Sequence, residues 1–124
     1  MNIKIITKRP EEKNMSEVTK EYKKRLSGYC NLKIAEKADS QKAYKIFVNA
    51  KSKYITSEDL AKKLSDIMID GNSDIAFFTG EKPDNTDYDF TLTSLEASED
   101  MKLCMLLEQI YRAFKINNNE AYHK

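Results

Sequence analysis

Residues 55–80, ITSEDLAKKLSDIMIDGNSDIAFFTG, contain the signals of a helix followed by a buried strand. Residues 56–59 place hydroxyl and acidic side chains where a helix begins, and these groups satisfy and favour the free amides of a first turn. Gly71 is a natural end for this helix. The segment 74–79, DIAFFT, is apolar nearly throughout, which is typical of a central parallel strand covered on both faces. The apolar residues that the helix would bury are Leu60, Leu64, Ile67 and Met68.

Similar patterns continue on both sides of this stretch. Residues 11–26 have an apolar stripe at helical spacing, and a final helix is predicted over residues 99–116. Strands that alternate with helices predict an α/β fold with a mostly parallel, five-stranded sheet. A chain of 124 residues is long enough for one core but not for two, so residues 1–124 are expected to form a single domain. The other predicted strands are residues 2–7, 32–37, 44–50 and 88–93.

The predicted last helix and two short links set limits on the architecture. This helix is apolar over most of its circumference, and such a helix is buried on more than one side. In so small a domain we expect the second side to meet a partner subunit, which predicts a homodimer. Residues 38–43 and 80–87 join consecutive strands but are too short to include a full helix, since a parallel crossover normally takes a dozen residues or more.

Composition favours a polar, globular class without a membrane or metal role. No apolar run approaches the roughly 18 to 20 residues that span a bilayer, and the apolar start of the chain is too short for a signal peptide. The expected location is therefore the cytoplasm. Cys30, Cys104 and a single histidine lack the spacing of metal ligands, so no metal site is expected.

The net charge of +1 conceals an asymmetry along the chain. Residues 1–63 contain 16 Lys and Arg against 8 Asp and Glu, whereas residues 64–124 contain 5 against 12. A basic half is typical of a nucleic-acid-binding surface. It is equally compatible with solvated helix surfaces, and charge alone does not distinguish the two.

Several segments together resemble one family. The opening MNIKIIT, EYKKRLSGYCNLKIAE (21–36), the stretch quoted first and the terminal LLEQIYRAFKINNNEAYHK (106–124) resemble, in order, the RlmH-type ribosomal RNA methyltransferases of the SPOUT superfamily. The resemblance implies a trefoil-knotted α/β homodimer, here with two shortened connections, that binds S-adenosylmethionine. It also implies methylation of N3 of a pseudouridine in the large-subunit rRNA of the assembled ribosome.

The resemblance also implies which residues act. The catalytic group would combine one residue of the last helix with the C-terminal tail: Arg112 and Lys124 would hold phosphates, Tyr122 would stack on a base and His123 would exchange protons. Alternatively, Arg112 is an interface ion-pair partner and the tail merely docks. The cofactor would lie in the loops after the third, fourth and fifth strands, at Val48, Asn49, Gly80, Glu81, Thr93, Ser94, Leu95, Glu96, Ala97 and Ser98.

The sequence departs from the family mainly in those loops. Glu81 stands where the family has a second glycine, Ser98 and Glu99 replace a Pro-His pair, and Asn49 replaces an acidic residue. Residues 81–100 contain seven acidic side chains against one lysine, which would repel RNA phosphates. Two hypotheses follow. One is a divergent methyltransferase, and the other is a catalytically degenerate SPOUT-like homodimer that binds RNA, the ribosome or another partner.

Overall fold

The computed structural model of the protein describes residues 1–8, 13–38, 42–49, 51–93 and 97–119. Five parallel strands form one sheet in the order β2-β1-β4-β3-β5. The predicted α/β class and parallel sheet are confirmed, while the trefoil knot stays a prediction. The strands are β1 (Asn2–Ile6), β2 (Asn31–Ala35), β3 (Tyr44–Val48), β4 (Asp74–Phe78) and β5 (Tyr88–Phe90).

Three helices pack on one face of this sheet, which we call the helix face. They are α1 (Lys13–Leu26), α2 (Ser57–Ile69) and α3 (Glu99–Asn117). Alternate residues of a strand point to opposite faces, so β1 and β4 contribute Ile3, Ile5, Ile75 and Phe77 to the helix face, each at most 1% exposed. One hydrophobic cluster combines these four side chains with buried residues of all three helices.

The start and end of α2 follow from the residues that predicted them. Thr56 is the N-cap: its hydroxyl accepts from the Asp59 amide at 3.0 Å, and the Asp59 carboxylate accepts from the Thr56 amide at 3.1 Å. This reciprocal pair is a capping box. Past the helix, Gly71 has a φ of +93°, a left-handed conformation that glycine adopts without a steric penalty.

Helix α3 lies between α1 and α2, which accounts for its broad apolar surface. Its fully buried residues belong to the same cluster as the helix face, and Ile110 is 0% exposed within the chain itself. The apolar circumference is thus largely covered by the chain's own helices and sheet. What remains for another molecule is a smaller set, in which Met101 is 54% exposed and Met105 is half-buried.

The other face of the sheet, which we call the open face, carries no helix among the described residues. At the carboxyl ends of the strands this face is apolar, with Ile6, Ala76 and Phe78 forming a second, smaller cluster. Both shortened connections run on this side. Lys82 lies over the Phe47 ring with its Nζ 6.0 Å from the ring centre, and Ala38 lies beside a cavity above β1 and β4.

Candidate functional site

The carboxyl ends of four strands meet at one edge of the sheet. Ile6 pairs with Phe78, and Phe78 pairs with Phe47, so the residues that follow them, Thr7, Thr79 and Val48, lie side by side. Backbone polar groups become available where strands end, and ligands of parallel α/β sheets bind at this edge. The edge is therefore the first place to look for a small-molecule site.

A carboxylate from α3 joins two of these strand ends. Glu99, in the first turn of α3, accepts hydrogen bonds from the hydroxyls of Thr7 at 3.5 Å and Thr79 at 3.3 Å. The Lys102 ammonium lies 3.4 Å from the other carboxylate oxygen. Both threonines are at most 4% exposed, whereas the Glu99 side chain is 27% exposed. The ends of β1 and β4 are thus connected to the start of α3 through one half-buried anion.

The loop after β3 is attached to the end of β5. The Asn49 amide donates to the Phe90 carbonyl at 3.0 Å, and the Ser52 amide donates to the Thr91 hydroxyl at 2.9 Å. The Asn49 side-chain oxygen accepts from the Lys51 amide at 2.6 Å. The Asn49 side chain therefore stabilises its own loop, which keeps the backbone beside β5 in a fixed conformation.

A groove of about 660 Å³ opens beside the ends of β1, β2 and β4. Gly80 and Glu81 line it on one side, and Thr7 and Lys37 line it on another. A methyl group placed on Gly80 would meet only Glu99 Oε2, at 3.9 Å, which is an ordinary contact distance. Glu81 is exposed, so its charge faces solvent at the rim of the groove.

The predicted cofactor residues are only partly gathered by this edge. Val48, Asn49 and Gly80 lie on neighbouring strand ends. Ser98 is the N-cap of α3, and its hydroxyl accepts from the Met101 amide at 3.2 Å. Thr93 and Ala97 are half-buried in the segment before α3. Ser94, Leu95 and Glu96 lie outside the described residues, as do Tyr122, His123 and Lys124 of the predicted tail.

Arg112 is half-buried on α3, one turn beyond a polar contact between α1 and α3. In that contact the Tyr22 hydroxyl donates to a Glu108 carboxylate oxygen at 2.8 Å. Burial, together with this hydrogen bond to an anion, raises the pKa of Tyr22 to about 12. The Nε of Arg112 is buried, so part of its guanidinium lies against the protein rather than in solvent.

Sequence reasoning missed the connecting role of Glu99, Thr7 and Thr79. Each threonine immediately follows an apolar strand, and Glu99 follows the α3 N-cap, so their positions near strand and helix ends were readable. Their mutual contact was not, because residues 7 and 99 are 92 positions apart. No sequence-local signal reports such a pairing.

Among the described residues, no group of three or more possible metal-binding side chains is present. Within the same residues, no helix is both long enough and apolar enough to cross a membrane.

The fold and this edge define an α/β protein that presents loops for a small ligand at the carboxyl ends of parallel strands. A family model described as "Predicted SPOUT methyltransferase" matches residues 35–123. The chain belongs to the SPOUT methyltransferase family.

The relatives cover the whole chain. "Ribosomal RNA large subunit methyltransferase H 1" of Thermoanaerobacter sp. (strain X514) is 34% identical over 133 aligned residues, with all of both chains covered. "Ribosomal RNA large subunit methyltransferase H" of Clostridioides difficile (strain 630) is 34% identical over 160, again with both chains fully covered. "Putative ribosomal RNA large subunit methyltransferase H" of Methanococcus maripaludis (strain C5 / ATCC BAA-1333) is 33% identical over 159, with the same coverage.

The lengths of these alignments differ in an informative way. The Thermoanaerobacter protein fits entirely within 133 aligned residues, so it is shorter than an alignment of 159 or 160 residues allows for the other two. A shortened chain is thus also found in a relative with the same printed name.

Proposed function

We propose that this protein transfers a methyl group from S-adenosylmethionine to a base of large-subunit ribosomal RNA. The observation that carries the proposal is full-length similarity, at 33–34% identity, to proteins named for this RNA and reaction class. The resemblance of the tail extends the proposal to N3 of a pseudouridine on the assembled ribosome. Such a substrate lies in the cytoplasm, and we propose that residues 1–124 act there as one domain.

The residues at the carboxyl edge fit the proposed cofactor. The groove of about 660 Å³ lies within the range of small-molecule sites, and Gly80 has room beside its Cα. When bound, S-adenosylmethionine supplies an electrophilic methyl group on a positively charged sulfur. A carboxylate such as Glu99 is compatible with that charge, whereas a cation in its place would oppose it.

The chain's own residues would bind and orient the substrates. The backbone of Asn49, held against β5, and that of Gly80 are the cofactor contacts that we propose in the described region. We propose that Thr93 and Ala97, together with Ser94, Leu95 and Glu96, complete this site. For the RNA we propose Arg112 and Lys124 as phosphate contacts, Tyr122 as a stacking group and His123 as the residue that exchanges a proton.

We also propose that the protein is a homodimer. The apolar side chains at the surface near α3 support this: Met101 is 54% exposed and Tyr54 is 60% exposed. Between them lies a cavity of about 340 Å³, lined in part by Leu92 and Met105. An adjoining subunit would remove these apolar groups from water.

No observation favours the non-catalytic alternative for this chain. Short connections separate it from the longer relatives, but the Thermoanaerobacter protein, with the same printed name, is also short. The acidic side chains near the edge are partly engaged: Glu99 binds two hydroxyls, and Asp89 lies 4.0 Å from Lys82. Their charge toward RNA is therefore smaller than a count of residues suggests.

The test is methyl incorporation from labelled S-adenosylmethionine into ribosomes that lack the modification. We expect incorporation with the intact protein and none after deletion of residues 122–124, with folding and cofactor binding retained. Arg112→Ala should act in the same direction, because a lost phosphate contact misplaces the RNA. Absence of incorporation by the intact protein, where a longer relative is active, would refute the proposal.

A further inference from the structure

A row of lysines crosses the open face of the sheet. In the strand register Lys33 of β2 pairs with Lys4 of β1, Lys4 pairs with Ala76 of β4, and Ala76 pairs with Lys45 of β3. Side chains of paired residues point to the same face. Adjacent strands lie about 4.8 Å apart, so the row spans about 14 Å from Lys33 to Lys45.

The small side chain of Ala76 leaves a depression within this row. A cavity of about 260 Å³ lies there, lined by Lys4, Lys33 and Ala76 together with Asn2 and Asp74. The floor is a sheet surface and the sides carry positive charge. This differs from the apolar surface that a parallel sheet normally presents to a covering helix.

Acidic side chains near the row are already occupied. Asp74 accepts a hydrogen bond from the Asn2 amide group at 2.9 Å, and Asp87 accepts from the Lys45 backbone amide at 2.8 Å. Within the described residues, Lys33 and Lys45 form no ion pair. The row therefore presents net positive charge outward.

The arrangement is unfavourable for the isolated chain. Like charges directly opposite each other on neighbouring strands destabilise a sheet, and Lys4 and Lys33 are such a pair. An anion above the row would remove this repulsion. A feature that opposes folding but favours an anionic partner is typical of a binding surface.

We propose that the lysine row, Lys33, Lys4 and Lys45, binds the phosphate backbone of the ribosomal RNA substrate. This inference rests on the proposed function. Lysine binds phosphate as a point charge without requiring one fixed geometry, which suits a flexible RNA strand on a flat surface. A row of about 14 Å offers positions for more than one phosphate of the same strand.

The row is separate from the proposed catalytic edge. Lys4 precedes Thr7 by three residues in β1, and Lys45 precedes Asn49 by four in β3, so the lysines lie toward the middle of the sheet. The open face thus adds affinity for RNA without touching the cofactor. Its loss should raise KM for ribosomes and leave kcat and S-adenosylmethionine affinity unchanged.

The experiment compares two variants that each lose two positive charges. Lys33→Gln/Lys45→Gln alters the row, and Lys20→Gln/Lys24→Gln alters exposed positions of α1 on the other side of the sheet. Affinity for protein-free large-subunit rRNA and for large subunits is measured from about 50 to 300 mM salt. Because each single-strand phosphate contact contributes about 0.7 to the salt slope, two lost contacts reduce it by about 1.4 and weaken binding about tenfold near 0.15 M salt.

Each outcome decides the inference. It is supported if the row variant loses affinity for both RNA forms, raises KM and melts no lower than the intact protein, while the α1 variant changes less than twofold. Equal losses in the two variants would indicate only general charge attraction and would overturn it. Loss of affinity for large subunits but not for free rRNA would indicate an acidic protein instead of RNA, and would also overturn it. If the row variant methylates ribosomes with an unchanged KM, the inference fails while the proposed function stands. If the intact protein does not bind rRNA at all, both fail.

Discussion

Replacing Glu99 by alanine should loosen the carboxyl edge of the sheet, because one carboxylate joins β1, β4 and α3. The three contacts, to Thr7, Thr79 and Lys102, measure 3.3–3.5 Å, which is at the long end for hydrogen bonds to a charged group. Short, buried contacts of this kind contribute about 1.5–3 kcal/mol each. With long distances and a side chain that is 27% exposed, we expect a total loss of about 1–2 kcal/mol.

For a chain of this length, 1 kcal/mol corresponds to roughly 4 °C, so Glu99→Ala should lower Tm by about 4–8 °C. Glu99→Gln keeps an acceptor for both hydroxyls and should lose about half as much. Binding of S-adenosylmethionine, measured by calorimetry at a temperature where all variants are folded, should weaken about three- to tenfold for the alanine variant, because the loops are less well positioned.

Glu81→Gln is the matched control, since it removes a nearby but exposed carboxylate. Its effect on Tm should correspond to less than about 0.5 kcal/mol. If Glu99→Ala behaves like Glu81→Gln in both measurements, the carboxylate does not connect the edge and the reasoning is refuted.

Three further results are expected from single positions. Tyr22 has a raised pKa of about 12, so the stability that its hydroxyl contributes is complete below its ordinary pKa of 10 and is lost as pH rises through 12; Tyr22→Phe should flatten urea-unfolding free energies over that interval, and an unchanged profile would contradict this. Replacing Glu81 by glycine should strengthen S-adenosylmethionine binding in calorimetry, because it removes a side chain and a charge from the groove rim, and equal affinity would show that this loop was misread. Met101→Glu should shift sedimentation from dimer to monomer while circular dichroism stays native, whereas a dimer that persists would place the interface elsewhere.

The elements with local signals were predictable from the sequence. The capping box of α2 and its glycine end are encoded by residues within a few positions of each other, so the helix was placed to within two residues. The strands have β-branched and aromatic residues between polar segments, and all five were found. Class and strand number follow from such patterns because each is decided by short-range chemistry.

Features that depend on distant contacts were not predictable. The apolar circumference of α3 was attributed to a partner subunit, but α1 and α2 of the same chain cover residues such as Ile110. DIAFFT was correctly predicted as a buried strand, yet its second face is covered without a helix. Similarly, the lysine row appears only once the register brings Lys33, Lys4 and Lys45 together.

The strand order has a consequence for the synthesis of the chain. Strand β1 is made first but lies between β2 and β4, and its Asn2 pairs with Asp74. Until residue 78 has left the ribosome, one edge of β1 has no native neighbour, and that strand carries Ile3, Ile5 and Ile6. Unpaired apolar edges of nascent chains invite aggregation, and pairings between distant residues form slowly. The newly made chain is therefore expected to depend on chaperones until more than half of its length has emerged.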